Sequence, residues 1–341
     1  MLEEAEKYLA HRIETLRESR VYGTRPKRQF HRAAKRYWME YHQIKRSIRT
    51  DECLLRNLDD YIGDMHIDAI HMGSLQHFIA ARRADGVKTR TINHAIALVR
   101  RILNLAASEW VDDSGLTWLA SPPKLRLLPE PDLRKPYPLN WEEQRKLFRE
   151  LPTHLKRMAL FAVNTGCRDR EVCGLRWAWE QWIPELKTSV FVIPSNCVKN
   201  GEPRLVVLNR IAQDVINKAR GDHEDFVFAF RGKPIQRMLN SGWKNARKRA
   251  GLPNIRVHDL KHTYGRRLRA ADVSYEDRQD LLGHKSSRIT THYSAAEIDK
   301  LLDASNRVCD LEGTTPTLTL IRSAANQILG PAKVRQRLLK D

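Results

Sequence analysis

Two pairs of residues in this 341-residue chain have the types and spacing to grip an anion. Arg168 and Glu171, in TGCRDREVCGLRW, stand three apart, so on a helix both side chains leave one face and can pair. A guanidinium held by a carboxylate is preorganised for a phosphate in a fixed orientation, although a structural salt bridge on a core helix would show the same spacing. His258 and Lys261, in HDLKHT, open a second helix, where free N–H groups and the positive dipole end favour an anion. His284, in LLGHK, and Tyr293, in THYS, follow downstream, nine residues apart. Lys199 directly precedes Asn200-Gly201, a hairpin-turn signal between two short β-type runs, VFVIPS at 190–195 and RLVVL at 204–208. Taken alone, an exposed turn lysine is most often a solubility residue.

The whole chain is suited to an anionic partner. It holds 60 Lys and Arg against 41 Asp and Glu, a formal net charge of +19. Such an excess points toward nucleic acid, although a basic surface without a specific partner would give the same count. No run of about 18 apolar residues could span a membrane, and the charged N-terminus MLEEAEKYLAHRIE has no signal-peptide core. The five cysteines form no CxxC pair and read as reduced thiols in the cytoplasm, neither a disulfide frame nor a zinc site.

The length calls for two domains. Residues 1–25 read as an amphipathic helix, with Leu2, Ala5, Leu9, Ile13 and Leu16 on one side, ended by VYGTRP. Residues 26–115 read as a small all-helical domain. Its first helix is expected to run through the basic stretch from Arg25 to Arg49, with Ala34, Tyr37, Tyr41, Ile44 and Ile48 facing inward and Arg36, Lys45 and Arg46 facing a phosphate backbone. A solvated charged face would look alike. Further helices fall at 74–83 and 92–110, the second carrying Arg100. Residues 116–139, with six prolines among basic residues, read as a semi-rigid linker. A second domain follows at 140–310, opened by an Asn140/Glu143 capping box, and a tail at 311–341. Within it, a basic helix at 235–250 places Lys244, Arg247 and Lys248 beside His258 as further DNA contacts. Ser294 and Glu297 form another capping box, opening a helix with Ile298, Leu301, Ala304 and Val308 on one side.

The motif TG-x-R-x-x-E-x-x-x-L, a lysine at a hairpin tip, His-x-x-Lys, Leu-Gly-His and a tyrosine nine residues on occur in order across about 130 residues. In that order they resemble the tyrosine recombinases, the phage-integrase family. The resemblance implies a mainly α fold with a small β-sheet (α+β), formed by a helical core-binding domain and a recombinase catalytic domain. It implies that Tyr293 attacks a scissile DNA phosphate, giving a 3′-phosphotyrosine and a free 5′-hydroxyl, without metal, ATP or other cofactor. Arg168, His284 and Lys261 would stabilise charge on the phosphate oxygens. Lys199 would protonate the departing oxygen, His258 would assist, and Glu171 would orient the site. The implied partners are double-stranded DNA with specific sites, three further copies in a tetramer, and accessory DNA-bending proteins. The implied setting is a bacterial nucleoid, the implied task integration or excision of a prophage or mobile element.

One position departs from the family pattern. Lys261 stands where a second arginine is usual, keeping the charge without the planar fork. Arg266 or Arg267 could supply a neighbouring guanidinium. The substitution leaves open a DNA-binding protein on a recombinase scaffold with weak or lost cleavage. A type IB topoisomerase shares the chemistry but fits the helical N-terminal domain and motif spacing less well.

Overall fold

A computed structural model describes residues 2–284 and 294–311, and the chain divides into two compact units, Met1–Arg134 and Lys135–Asp341. Among the described residues no helix is long and apolar enough to cross a membrane. The fold is mainly helical with small antiparallel sheets, the α+β class expected.

The first unit contains α1 (Leu2–Tyr22), α2 (Phe30–Tyr41), α3 (Ile48–Ile62), α4 (Gln76–Ala84) and α5 (Thr89–Ser108). Helix α5 buries a broad face, including Ile92, Ile96, Val99, Ile102 and Leu103, against α2, α3 and α4. Helix α1 keeps Tyr8, Leu9 and Ile13 exposed. The single helix expected across the Arg25–Arg49 stretch is in fact two, broken at 42–47, and Ile44 is exposed instead of inward-facing. The break has a visible partner set. Lys45 turns back to pair with Asp51 and donates to the Tyr37 hydroxyl at 2.9 Å, while Tyr37 donates to Asp51 at 2.7 Å. That triad gives the buried Tyr37 hydroxyl and Asp51 carboxylate the partners that their burial demands.

Much of the proline-rich stretch is docked. Leu119 and Leu125 are buried in the first unit's core, and Asn93 exchanges hydrogen bonds with the Leu128 backbone at 2.8 and 2.9 Å. Past the division, Tyr137 N–H donates to Asp259 and Leu139 N–H to the Thr263 hydroxyl at 2.9 Å.

The second unit is built around α7 (Thr153–Thr165), whose Leu155, Met158, Phe161, Ala162 and Val163 are all buried. A helix that is apolar on most sides belongs at the centre of a core. It packs against α9 (Arg210–Asn217) and α11 (His258–Ala270). Helix α6 (Trp141–Glu150) starts with the expected capping box, Asn140 accepting from Glu143 N–H and Glu143 from Asn140 N–H. The short α8 (Asp169–Cys173) follows the left-handed turn at Gly166 (φ 63°). An alanine there would put its Cβ 2.8 Å from the Tyr264 ring, so the turn needs glycine on two counts.

Strands β1 (Glu180–Ile183), β2 (Thr188–Ile193) and β3 (Arg204–Val207) form an antiparallel sheet in sequence order. Ile193 pairs with Arg204, so the connection carrying Lys199, Asn200 and Gly201 is a ten-residue loop and not a tight hairpin. Strands β4 (Ala229–Phe230) and β5 (Lys233–Pro234) make a small ribbon, followed by α10 (Ser241–Arg249), α11 and α12 (Tyr275–Leu282). Helix α13 (Ala295–Arg307) begins with the Ser294/Glu297 box and packs in cis, Leu301, Ala304 and Val308 joining Val207, Tyr264, Leu268 and Leu281.

A buried hydroxyl pair fastens α13 to α11: Tyr264 and Ser305 approach at 2.7 Å, and the Asn209 amide donates to the Ser305 carbonyl. Tyr264→Phe strands the serine hydroxyl in an apolar site. It is expected to lower unfolding stability by about 1–2 kcal/mol, measured by urea denaturation, with faster amide exchange in α13 than in α7. Equal exchange changes in both helices would contradict this.

Candidate active site

Glu171 is the meeting point of the site. Held on the first turn of α8, it is 3 % exposed. One carboxylate oxygen accepts from the Arg168 guanidinium at 2.7 Å, and the other accepts the Arg168 backbone N–H, also at 2.7 Å. The second oxygen also pairs with the guanidinium of Arg204, which is buried on β3. Burial alone would raise the Glu171 carboxyl, but the charge of Arg204 and the hydrogen bonds and charge of Arg168 hold it below the usual range.

Arg168 is only partly buried and reaches across to the Gly283 carbonyl at 3.4 Å. That carbonyl also accepts from the Asn200 side chain at 3.4 Å, which brings the Lys199 loop to the same turn. Gly283 ends α12 at φ 56°, and a Cβ there would fall 2.5 Å from Arg204 Nε. The backbone must therefore both turn left-handed and lie against a guanidinium, which glycine alone allows. His284 follows immediately, its Nδ1 2.9 Å from the Gln279 side-chain oxygen.

Lys261, in the first turn of α11, is 5 % exposed. Its ammonium donates to the Gly166 carbonyl at 3.0 Å and to the Leu282 carbonyl, tying the turn before Arg168 to the turn before His284. An ammonium has three donors, so one remains beyond these two carbonyls. Burial, reinforced by the charges of Arg204 and Arg168, pushes Lys261 down to about 7. His258 and His284 are exposed but partly desolvated, and both titrate below the ordinary histidine value. For His258 the further causes are His262, Lys261 and Arg168, and for His284 they are Lys261, Arg168 and Arg204. The His258 and His262 rings meet edge to face with centroids 4.7 Å apart.

Arg168, His258, Lys261 and His284 thus form one cluster of mutually interacting basic side chains, with the buried Glu171 carboxylate under Arg168 and the buried Asp259 beside His258. Lys199 is exposed on the adjoining loop. Tyr293 lies outside the described residues. The arrangement can do one thing well: receive an anion against fixed donors in a partly water-excluded setting.

Residues 139–299 match the model of the phage integrase family. The integrase of Salmonella phage P22 is 26% identical over 233 residues, covering 64% of this chain and 57% of that one. Tyrosine recombinase XerC of Agrobacterium fabrum is 25% identical over 265 residues, covering 73% of this chain and 82% of its own. The second unit thus carries a domain similar to the phage integrases and to the XerC tyrosine recombinases. Among solved structures, the Tn1549 transposon integrase in complex with circular intermediate DNA superposes with a TM-score of 0.61 at 15% identity, over 80% of this chain and 98% of that one. A lambda integrase dimer bound to a COC′ core site gives 0.60 at 17% identity, over 88% and 81%. At those identities the likeness is one of fold.

Two residues of this cluster escaped the sequence reading. Arg204 sat unremarked in the strand RLVVL, and Asn200 was read only as a turn former. Arg267, offered as a substitute guanidinium, is buried over the Trp141 ring at 3.4 Å and donates to Gln144 at 2.7 Å, so it serves α6 and not the site. Of the expected DNA contacts, Arg46, Arg100, Lys244 and Lys248 are exposed. Arg36 lies over the Trp110 and Trp118 rings and pairs with Glu40. Lys45 is held by Asp51, and Arg247 donates to the Ile255 carbonyl at 2.9 Å.

The depressed Lys261 carries its charge below about pH 7 and loses it as pH rises, whereas an arriving phosphate favours the charged form. DNA binding above neutrality is therefore expected to take up protons, read by calorimetry as an enthalpy that varies with buffer ionisation heat. Lys261→Arg does not titrate in this range and should reduce that uptake. Identical uptake in both proteins would show that Lys261 is not a source.

Proposed function

We propose that this protein cuts and rejoins double-stranded DNA at specific sites through Tyr293, in the integration or excision of a prophage or other mobile element. The observation that carries the reading is the Arg168–Glu171 pair, with His258, Lys261 and His284 coupled around it on a phage integrase domain. Tyr293 displaces the 5′-oxygen from the scissile phosphate and forms a 3′-phosphotyrosine, keeping the bond energy for rejoining. Arg168 and His284 contact the non-bridging oxygens, and the remaining Lys261 donor adds a third contact. Lys199, carried on the loop that Asn200 fastens to Gly283, donates the proton to the departing 5′-oxygen, and His258 assists that transfer. The exposed Arg46, Arg100, Lys244 and Lys248 hold the duplex by its backbone. Full exchange requires four copies on paired sites, with accessory DNA-bending proteins.

A DNA-binding protein without cleavage is the competing reading, because two donors of Lys261 already serve backbone carbonyls. A library of nicked duplexes with randomised cores separates the two. Wild-type protein is expected to become covalently linked to a subset of them, and sequencing those junctions gives the recognised site. Tyr293→Phe should bind the same duplexes with no adduct, while Lys261→Ala should slow adduct formation roughly 100-fold or more. Absence of any wild-type adduct would establish the binding protein instead. Junctions that match no element end would remove the mobile-element role.

A further inference from the structure

Arg204 is the buried charge that the reaction as proposed leaves unused. It is 3 % exposed, and every described contact of its guanidinium leads to a part of the site. One amino group pairs with Glu171, and the other donates to the Thr165 carbonyl at 3.2 Å and the Leu281 carbonyl at 3.3 Å. Thr165 is the last residue of α7, before the turn that delivers Arg168. Leu281 is in the last turn of α12, before the turn that delivers His284. The Nε edge faces Gly283, where no side chain could be accommodated.

We infer that Arg204 is a positioning residue for DNA cleavage, the buried fork through which β3 sets the Arg168 guanidinium and the His284 turn in one register. This rests on the reading of the cluster as a cleavage site. Its geometry argues for a fork and not merely a charge. Three acceptors on three different elements are met by two amino groups of one planar cation, which a lysine ammonium at that depth could not reach in the same directions. Glu171 in turn has Arg168 on one oxygen and Arg204 on the other, so the carboxylate is fixed in plane as well as in place. Without Arg204 the carboxylate keeps only the Arg168 backbone N–H and guanidinium, both local to α8, and loses the tie that sets it against β3, α7 and α12.

The effect also reaches Lys261. The groups facing that ammonium are Arg204 on β3, Arg168 and Glu171 at α8, Cys167 beside them, His258 on its own helix, and His284 beyond α12. Arg204 is the largest charge contribution among those depressing it. Removing that charge lets Lys261 hold its proton to higher pH.

The test uses the full chain and a nicked duplex recovered from the randomised library. Arg204→Lys, Arg204→Met and Glu171→Gln, with the Arg204→Met/Glu171→Gln pair, are compared for thermal melting, duplex affinity and single-turnover adduct formation between about pH 6 and 9. Duplex affinity is expected to stay within about threefold, while adduct formation falls about a hundredfold in Arg204→Met and at least about tenfold in Arg204→Lys. The pair should be no slower than its slower single variant, because both changes break one contact chain. The alkaline limb of the rate should move up in Arg204→Met and stay in place in Arg204→Lys, a shift that a purely structural role would not produce. A wild-type rate in Arg204→Lys, or rate losses that multiply in the pair, overturns the inference. If Arg204→Met does not fold, Arg204→Lys alone decides by the same criterion. No adduct with the wild-type chain removes the cleavage reading itself, and this inference with it.

Discussion

A single carboxylate sets the terms for the catalytic unit. Glu171 lies almost out of water, yet it remains charged because two guanidinium groups flank it and a backbone N–H caps it. A buried ion pair is neutral or costly in stability when weighed against apolar packing, and breaking one partner costs about 3–5 kcal/mol. Such a group is better understood as a device for direction than for stability. Here it converts a five-residue helix, too short to stand by itself, into the fixed mount of Arg168.

The excess charge around that carboxylate is equally informative. Arg168, Arg204 and Lys261 face one negative group, and the two histidines beside them are held toward their neutral forms. Positive groups held at such low exposure make the site receptive to an anion, which would also favour the charged form of Lys261. Pre-set donors of this kind need little reorganisation when charge develops on a phosphate, which is where most of the advantage of an enzyme over water arises.

The sequence disclosed what is local. Arg168 and Glu171 are one helical turn apart, and the boxes at Asn140/Glu143 and Ser294/Glu297 are satisfied within four residues, so spacing alone revealed them. What depends on distant partners was hidden. Arg204 is 33 residues from Glu171 and sits in a strand whose apolar neighbours mask it. The break after Tyr41 contains neither glycine nor proline, and Ile44 and Ile48 continue the helical rhythm across it, so periodicity pointed the wrong way. Lys45 and Arg247 looked like surface cations because their acceptors, Asp51 and the Ile255 carbonyl, are fixed by folding and not by adjacency.

Helix α7 adds a consequence that concerns the protein's tolerance to change. It is buried on most of its surface from Met158 onward, and the carbonyl of its last residue is one of the three acceptors that seat Arg204. A helix moves along its axis as a rod, about 1.5 Å for each residue of slip. Poor packing at Met158 or Phe161, about two turns and about one turn back along the helix, is thereby transmitted to its end. Core substitutions in α7 can thus leave the fold intact and still disturb the seating of Arg204 and, through Glu171, of Arg168. In this protein distance from the site is no insulation from it.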